Sequence, residues 1–261
     1  MYPEIVIGPV TLQTFGLCFA LGFLAAGALI WKRFKETGHP TDWAYEMGFA
    51  ALVGGVVGSR LYYIAQNYSD VKDDLLGNLF SGGGLVWYGG AIGGAIAVLL
   101  WAWWRGFLGL ALLDVAAPAL AIGYAIGRCG CQLSGDGDYG KAWDGPWAMS
   151  YPDGTVPTDE AVHPTPVYES LAMGLCAWLL WQLRDRVRPG MLFAIYLVYA
   201  GLERFLIEFL RRNDPGTLGL TTAQIESLTM VLGGAIWIAI VARRHGGIGL
   251  PAANETAPRF T

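Results

Sequence analysis

Charge is scarce in this sequence: only 15% of its 261 residues are Asp, Glu, Lys or Arg, whereas soluble domains carry charge on about a quarter of positions. With 54% of residues hydrophobic, the scarcity points to lipid rather than water as the solvent. A basic stripe is also missing. The 17 Lys and Arg are dispersed and the formal net charge is -4, which argues against a surface for a phosphate backbone and sets nucleic acid aside as a partner. Four cysteines are too few and too scattered for a disulfide framework, since only Cys129 and Cys131 lie close together. Histidine is rarer still, at His39, His163 and His245. No Lys or Arg precedes the first apolar run, so that run lacks the basic start of a secretory signal and is expected to be retained.

What the chain has in abundance is long apolar stretches. A hydrocarbon core about 30 Å thick calls for roughly 20 apolar residues per helix. Seven stretches qualify: Leu12 to Trp31, Ala44 to Ala65, Leu85 to Trp104, Leu112 to Gly127, Val167 to Leu183, Gly190 to Leu210 and Ala223 to Ala242. The fourth is short and holds Asp114 and Pro118, which a span tolerates only where neighbouring helices cover them. The expected fold class is therefore an all-α integral membrane protein of about seven transmembrane helices with a small outer loop cap. One helical domain is expected over residues 1–245, with the cap at about 128–166 and a disordered cytoplasmic tail at 246–261. The cap reading rests on Tyr139, Trp143, Trp147 and Tyr151, which favour packing over disorder.

Basic residues in alternate loops bias which side stays cytoplasmic. Ten Lys and Arg, from Lys32, Arg33 and Lys35 through Arg105 to Arg243, Arg244 and Arg259, fall on the even side and five on the odd side. This predicts an outside N-terminus and a cytoplasmic C-terminus. Trp101, Trp103 and Trp104 read as an interfacial aromatic belt before Arg105.

Charge inside the spans carries the functional signal, because an uncompensated Arg or Glu at mid-bilayer costs about 2.5–3.5 kcal/mol. Arg60 ends the second span, Glu169 opens the fifth, and the sixth holds Glu203, Arg204 and Glu208 before Arg211 and Arg212. Helical spacing pairs Arg204 with Glu208 and Glu208 with Arg212, so mutual neutralisation is one explanation. The other is a phosphate grip. Guanidinium stays charged at any working pH and offers phosphate two parallel donors, and Arg60, Arg128 and Arg204 fall on the outer side of the expected topology. A membrane-embedded phosphate site of this kind suggests a phospholipid substrate.

Other motifs weigh less. Gly135-Asp136-Gly137-Asp138-Tyr139-Gly140 fits a dinucleotide template but follows a helix and would repel a pyrophosphate; most ligands of a calcium loop are missing. Cys129 and Cys131 lack the second pair that zinc needs. Three small-xxx-small pairs, Gly54/Gly58, Gly90/Gly94 and Gly123/Gly127, read as helix packing, and Gly82-Gly83-Gly84 as a bent entry loop leading to Trp87-Tyr88-Gly89-Gly90. His163 is held near the membrane surface by Pro164 and Pro166.

Several of these residues lie in ordered motifs. Gly127-Arg128-Cys129-Gly130, followed by Ser134-Gly135-Asp136 and closing at Gly140, resembles the signature of prolipoprotein diacylglyceryl transferases. The run from His163 to Glu169 through Tyr168 is similar to the family's His-Pro-x-x-x-Tyr-Glu element, and Arg204 to Arg211 through Glu208 to its Arg-Phe-x-x-Glu-x-x-Arg element. Arg60 and the glycines around Tyr88 fit a second-span arginine and a third-span glycine motif. The resemblance implies transfer of a diacylglyceryl group from phosphatidylglycerol to the cysteine thiol of a lipoprotein precursor, in the bacterial cytoplasmic membrane, with no metal or organic cofactor. It implies that Arg128 and Arg204 stabilise the phosphate while Glu169 and Glu208 orient them. Arg60, Gly130, Gly140 and Tyr168 are further expected substrate-site residues.

The chain departs from the pattern at several places. Tyr88 stands where the family presents a histidine before Gly-Gly, and Phe15 where it has a first-span tyrosine. Cys131 and Ser134 replace two asparagines, Asp136 replaces the glutamate, and one extra residue precedes Gly140. A tyrosine with an ordinary pKa near 10 is a poor base at neutral pH, so His163 or Asp136 is expected to take the thiol proton, or the acceptor differs. Transporters commonly show a two-fold internal repeat, which this sequence lacks.

Overall fold

The computed structural model describes residues 1–71, 86–216 and 219–250. The glycine run at 82–84 and the tail from residue 251 lie outside the described residues. Seven helices of 17 or more residues are described: α1 (Thr14–Thr37), α2 (Trp43–Gln66), then, after the four-residue α3 (Tyr68–Val71), α4 (Trp87–Trp104), α5 (Leu110–Ser134), α6 (Thr165–Leu183), α7 (Met191–Ile207) and α8 (Thr222–His245). They coincide with the seven apolar stretches to within a few residues, except that α1 runs six and α5 seven residues past their expected ends. Four of them, α1, α2, α5 and α8, are long and apolar enough to cross a membrane. The described residues also form two antiparallel hairpins, β1 (Glu4–Ile7) with β2 (Val10–Gln13) and β3 (Met149–Tyr151) with β4 (Thr158–Val162).

The chain divides into two compact units, Ile30–Leu112 and the remainder, with the divisions falling near the middle of α1 and the start of α5. In the Ile30–Leu112 unit, α2 and α4 meet through glycine. A methyl group on Gly58 would collide with the Gly89 carbonyl, and one on Gly93 with the Gly54 carbonyl. The close approach on α4 therefore runs through Gly89 and Gly93, one residue out of step with the expected Gly90/Gly94 pair. Trp101 is turned inward, donating from Nε1 to Glu46 Oε2 at 2.8 Å, and Arg105 pairs with the same carboxylate; only Trp103 and Trp104 are exposed as an aromatic belt requires.

In the other unit, small residues again set the spacing. Ala117, Ala121 and Ala125 of α5, Met173, Cys176, Ala177 and Leu180 of α6, and Leu192 and Ala200 of α7 form one buried cluster. A Cβ on Gly201 would lie 2.8 Å from the Ser227 carbonyl and one on Gly234 2.7 Å from that of Ala194, so α7 and α8 pack at nearly backbone contact. Gly22 of α1 approaches Gly123 of α5, while Gly127 has open space around it. Asp114, awkward in the sequence, accepts the backbone N–H groups of Gly190 and Phe193 at 2.6 and 3.2 Å, satisfying donors at the start of α7. The backbone at 248–250 is hydrogen-bonded to Arg186 and Arg188.

Candidate functional site

The extended α5 carries Arg128 into a cluster built by four segments of one unit. Glu169, in the first turns of α6, is fully buried and sits at the centre. Its Oε2 lies 3.1 Å from Arg128 Nε and 3.6 Å from Arg211 Nη1; its Oε1 lies 3.5 Å from Arg204 Nη1 and accepts the Tyr124 hydroxyl at 3.1 Å. Asp138, in the connection after α5, pairs with both Arg128 and Arg211. Glu208, just past the end of α7, pairs with Arg204 Nη2 at 2.9 Å and accepts Asn213 Nδ2 at 2.7 Å. Three guanidiniums thus face three carboxylates, and the arginines share acids rather than each holding its own. Arg204 Nη1 and Arg211 Nη1 are buried without a hydrogen-bond partner among the described residues, so donors remain for an anion.

The sequence element from Arg204 to Arg211 is what brings two of these arginines together. α7 ends at Ile207 and the chain tightens into turns, so the helical pairing of Glu208 with Arg212 does not form. Arg212 instead reaches Glu160 at 3.1 Å and the Gly140 carbonyl at 2.9 Å, and Glu208 keeps Arg204 and, at 4.0 Å, Arg211.

Gly140 is the pinch point of the site. Its N–H donates to the His163 carbonyl at 2.8 Å, it forms a bridge with Arg211, and a Cβ there would lie 2.5 Å from the Leu210 carbonyl and 2.9 Å from both His163 and Thr165. Thr165 Oγ1 donates to the Asp138 carbonyl at 2.6 Å, and Gly137 turns the loop at φ +92°. Gly130 serves α5 packing, with Cys18 and Phe15 at 3.0 and 3.4 Å from where a Cβ would stand. His163 is stacked on Trp143 at 4.4 Å, and its Nδ1 lies 3.4 Å from the Tyr168 hydroxyl, which accepts Trp147 Nε1 at 2.7 Å. Asp136 lies outside the arginine cluster, its Oδ1 accepting the N–H of Asp138 at 3.2 Å. Arg60, buried in α2, and Tyr88, in the first turn of α4, belong to the Ile30–Leu112 unit.

Cys131, Asp136 and Asp138 approach one another within 4.8 Å, but both Asp138 oxygens are held by guanidiniums that a cation would have to displace. Asp138, Arg211 and Tyr124 join the cluster although none is among the site residues expected from the motifs. The Arg211 signal was present in the final arginine of its motif; Asp138 was hidden by counting the signature's acid at Asp136.

Burial alone would raise the Asp138 carboxyl, yet Arg128 and Arg211 outweigh it and hold the group below the usual carboxylate range. A depressed folded value means that its stabilisation is full above the unfolded value of about 3.9 and fades as pH falls through the lower folded value. Asp138→Asn is expected to lower the thermal midpoint at neutral pH and to lose much of the acid-side decline below about pH 4. Midpoints of both proteins in detergent across that range check this, and parallel pH profiles would refute it.

The profile of the prolipoprotein diacylglyceryl transferase family matches residues 4–240. Among similar proteins are phosphatidylglycerol–prolipoprotein diacylglyceryl transferases of Clostridium tetani (35% identical, covering 86% of this chain and 94% of the relative), Clostridium perfringens (30%; 89% and 93%) and Methylobacillus flagellatus (31%; 92% and 95%).

Proposed function

Because the chain belongs to the prolipoprotein diacylglyceryl transferase family, we propose that it moves the diacylglyceryl group of phosphatidylglycerol onto the cysteine thiol of a lipoprotein precursor and releases glycerol phosphate. In this reaction a sulfur–carbon bond forms at the glyceryl carbon and the carbon–oxygen bond to phosphate breaks. The thiol loses its proton and the departing phosphate gains a negative charge. Fixed positive charge aimed at that phosphate lowers the barrier.

The observation that carries the reading is the convergence of Arg128, Arg204 and Arg211 on buried Glu169, with two Nη1 groups left without hydrogen bonds. In this reading Arg128 and Arg204 grip the phosphate, with Glu169 and Glu208 fixing their orientation. Gly140 lets the backbones close around the site, Gly130 seats α5 closely against Phe15 and Cys18, and Tyr168, next to Glu169, contributes to substrate binding. By motif alone, Arg60 is a further substrate-binding candidate and Tyr88 a further catalytic one, and His163 and Asp136 are the acceptors that the motifs suggest for the thiol proton. Seven crossings with an outside N-terminus and a cytoplasmic C-terminus, in a bacterial cytoplasmic membrane, suit this chemistry, with the connection between α5 and α6 as a cap over the helix ends.

Incubation of the purified protein with labelled phosphatidylglycerol and a precursor peptide bearing one cysteine tests the proposal. Thioether-linked peptide and free glycerol phosphate are the expected products. Glycerol phosphate without peptide modification would point to another acceptor, the reading favoured by the departures at Tyr88, Cys131 and Ser134; the absence of both products would rule out transfer.

A further inference from the structure

The thiol proton lacks an obvious acceptor, because Tyr88 stands where the family presents a histidine. The carboxylates around the arginines are committed: Asp138, Glu169 and Glu208 are ion-paired, and Asp136 holds the backbone of its own loop. His163 is packed flat on Trp143 and turned toward Tyr168.

One acid is different. Glu203 precedes Arg204 on α7 and lines a cavity of about 400 Å³ whose other walls are Tyr168, Ala172, Tyr199, Leu202, Leu206, Ile207 and Leu210. Its Oε1 is buried and has no hydrogen-bond partner among the described residues. An unsatisfied buried oxygen costs about 1–3 kcal/mol, more when charged, so it calls for an explanation in function.

We propose that the Glu203 carboxylate accepts the proton of the acceptor thiol, an assignment that rests on the transfer reaction above. The S–H proton passes to Glu203 as sulfur bonds to the glyceryl carbon. The electrons of the broken carbon–oxygen bond leave on the phosphate, and Glu203 later returns its proton to water. Charge explains why an acid suits this position. The arginine cluster is balanced, three against three, so Glu203 is the surplus negative group beside it. Neutralising Glu203 while the phosphodiester becomes a phosphate monoester dianion keeps the summed charge of Glu203 and the phosphate constant, which avoids building up negative charge in a low dielectric.

The groups near enough to act on Glu203 through charge or the shared cavity are Tyr124 and Arg128 of α5, Tyr168, Glu169 and Cys176 of α6, Tyr196, Tyr199 and Arg204 of its own helix, and Arg211 beyond it. The arginines keep their charge throughout the working range. A base role therefore predicts a pH signature tied to the thiol.

The test measures thioether formation by the full-length protein in phosphatidylglycerol vesicles, for wild type, Glu203→Gln and Glu203→Asp. Glu203→Gln is expected to lower kcat by about 10²–10⁴-fold, with KM for the lipid changed less than about twofold, and Glu203→Asp to recover part of the rate. The deficit should shrink at least about tenfold when the nucleophile is already ionised, either above the thiol's pKa of about 8.5 or with selenocysteine in place of the peptide cysteine. A deficit equal at every pH and with both nucleophiles marks a structural role and overturns the assignment, as does a Glu203→Gln rate within about threefold of wild type. If wild-type protein forms no thioether, the transfer reading fails and this assignment with it; an active wild type with a fast Glu203→Gln variant sinks the base alone.

Discussion

Arg128→Ala is expected to lower thioether formation by about a thousandfold or more, beyond the loss of one oxyanion-hole donor, while the protein still inserts and purifies. Arg128 pairs with both Asp138 and Glu169 and makes the shortest contact to Glu169, 3.1 Å against 3.6 Å for Arg211. Removing it deletes one phosphate donor and also tips the cluster from charge balance to a surplus acid that repels phosphatidylglycerol. Arg128→Lys should fall between, since lysine supplies charge without the planar pair of donors. The labelled-lipid assay decides the matter: a normal rate in the alanine variant would remove Arg128 from the mechanism.

Glu169→Gln is expected to have the largest effect on stability, about 3–5 kcal/mol, the range for breaking a buried ion pair by removing one partner. Glu169 is shared by three arginines from two other segments, and its loss leaves their positive charges facing one another with only Asp138 and Glu208 to offset them. Thermal unfolding in detergent should show a clear drop in midpoint. Inorganic phosphate should restore part of it, because an added anion can occupy the vacated centre. An unchanged midpoint would mean that the cluster is not held together by this carboxylate.

The sequence carried the helices and most of the cluster, for different reasons. Apolar runs locate helices because each must bury or present an apolar surface over its whole length. That rule stopped α5 at Gly127, just before the charged Arg128. The helix continues because Asp138 and Glu169 neutralise that charge, and those partners arrive from segments distant in sequence. Arg128, Glu169, Arg204 and Glu208 were legible because ordered motifs name them. Asp138 was not, since the extra residue before Gly140 shifts the count and only the turn at Gly137 shows where the chain places its acid. The glycine spacing of α4 failed for a related reason: Gly89/Gly93 and Gly90/Gly94 are equally good patterns on paper, and the partner helix chooses between them.

The backbone bridge between Gly140 and Arg211, reinforced by the Lys141 N–H donating to the Leu210 carbonyl at 2.7 Å, has a mechanical consequence. The stretch after α5 and the stretch after α7 are stitched into a single lever, so a lipid headgroup that displaces one must carry the other with it. Amide protons on both sides of that seam should therefore exchange with solvent as one cooperative opening rather than as two independent loops.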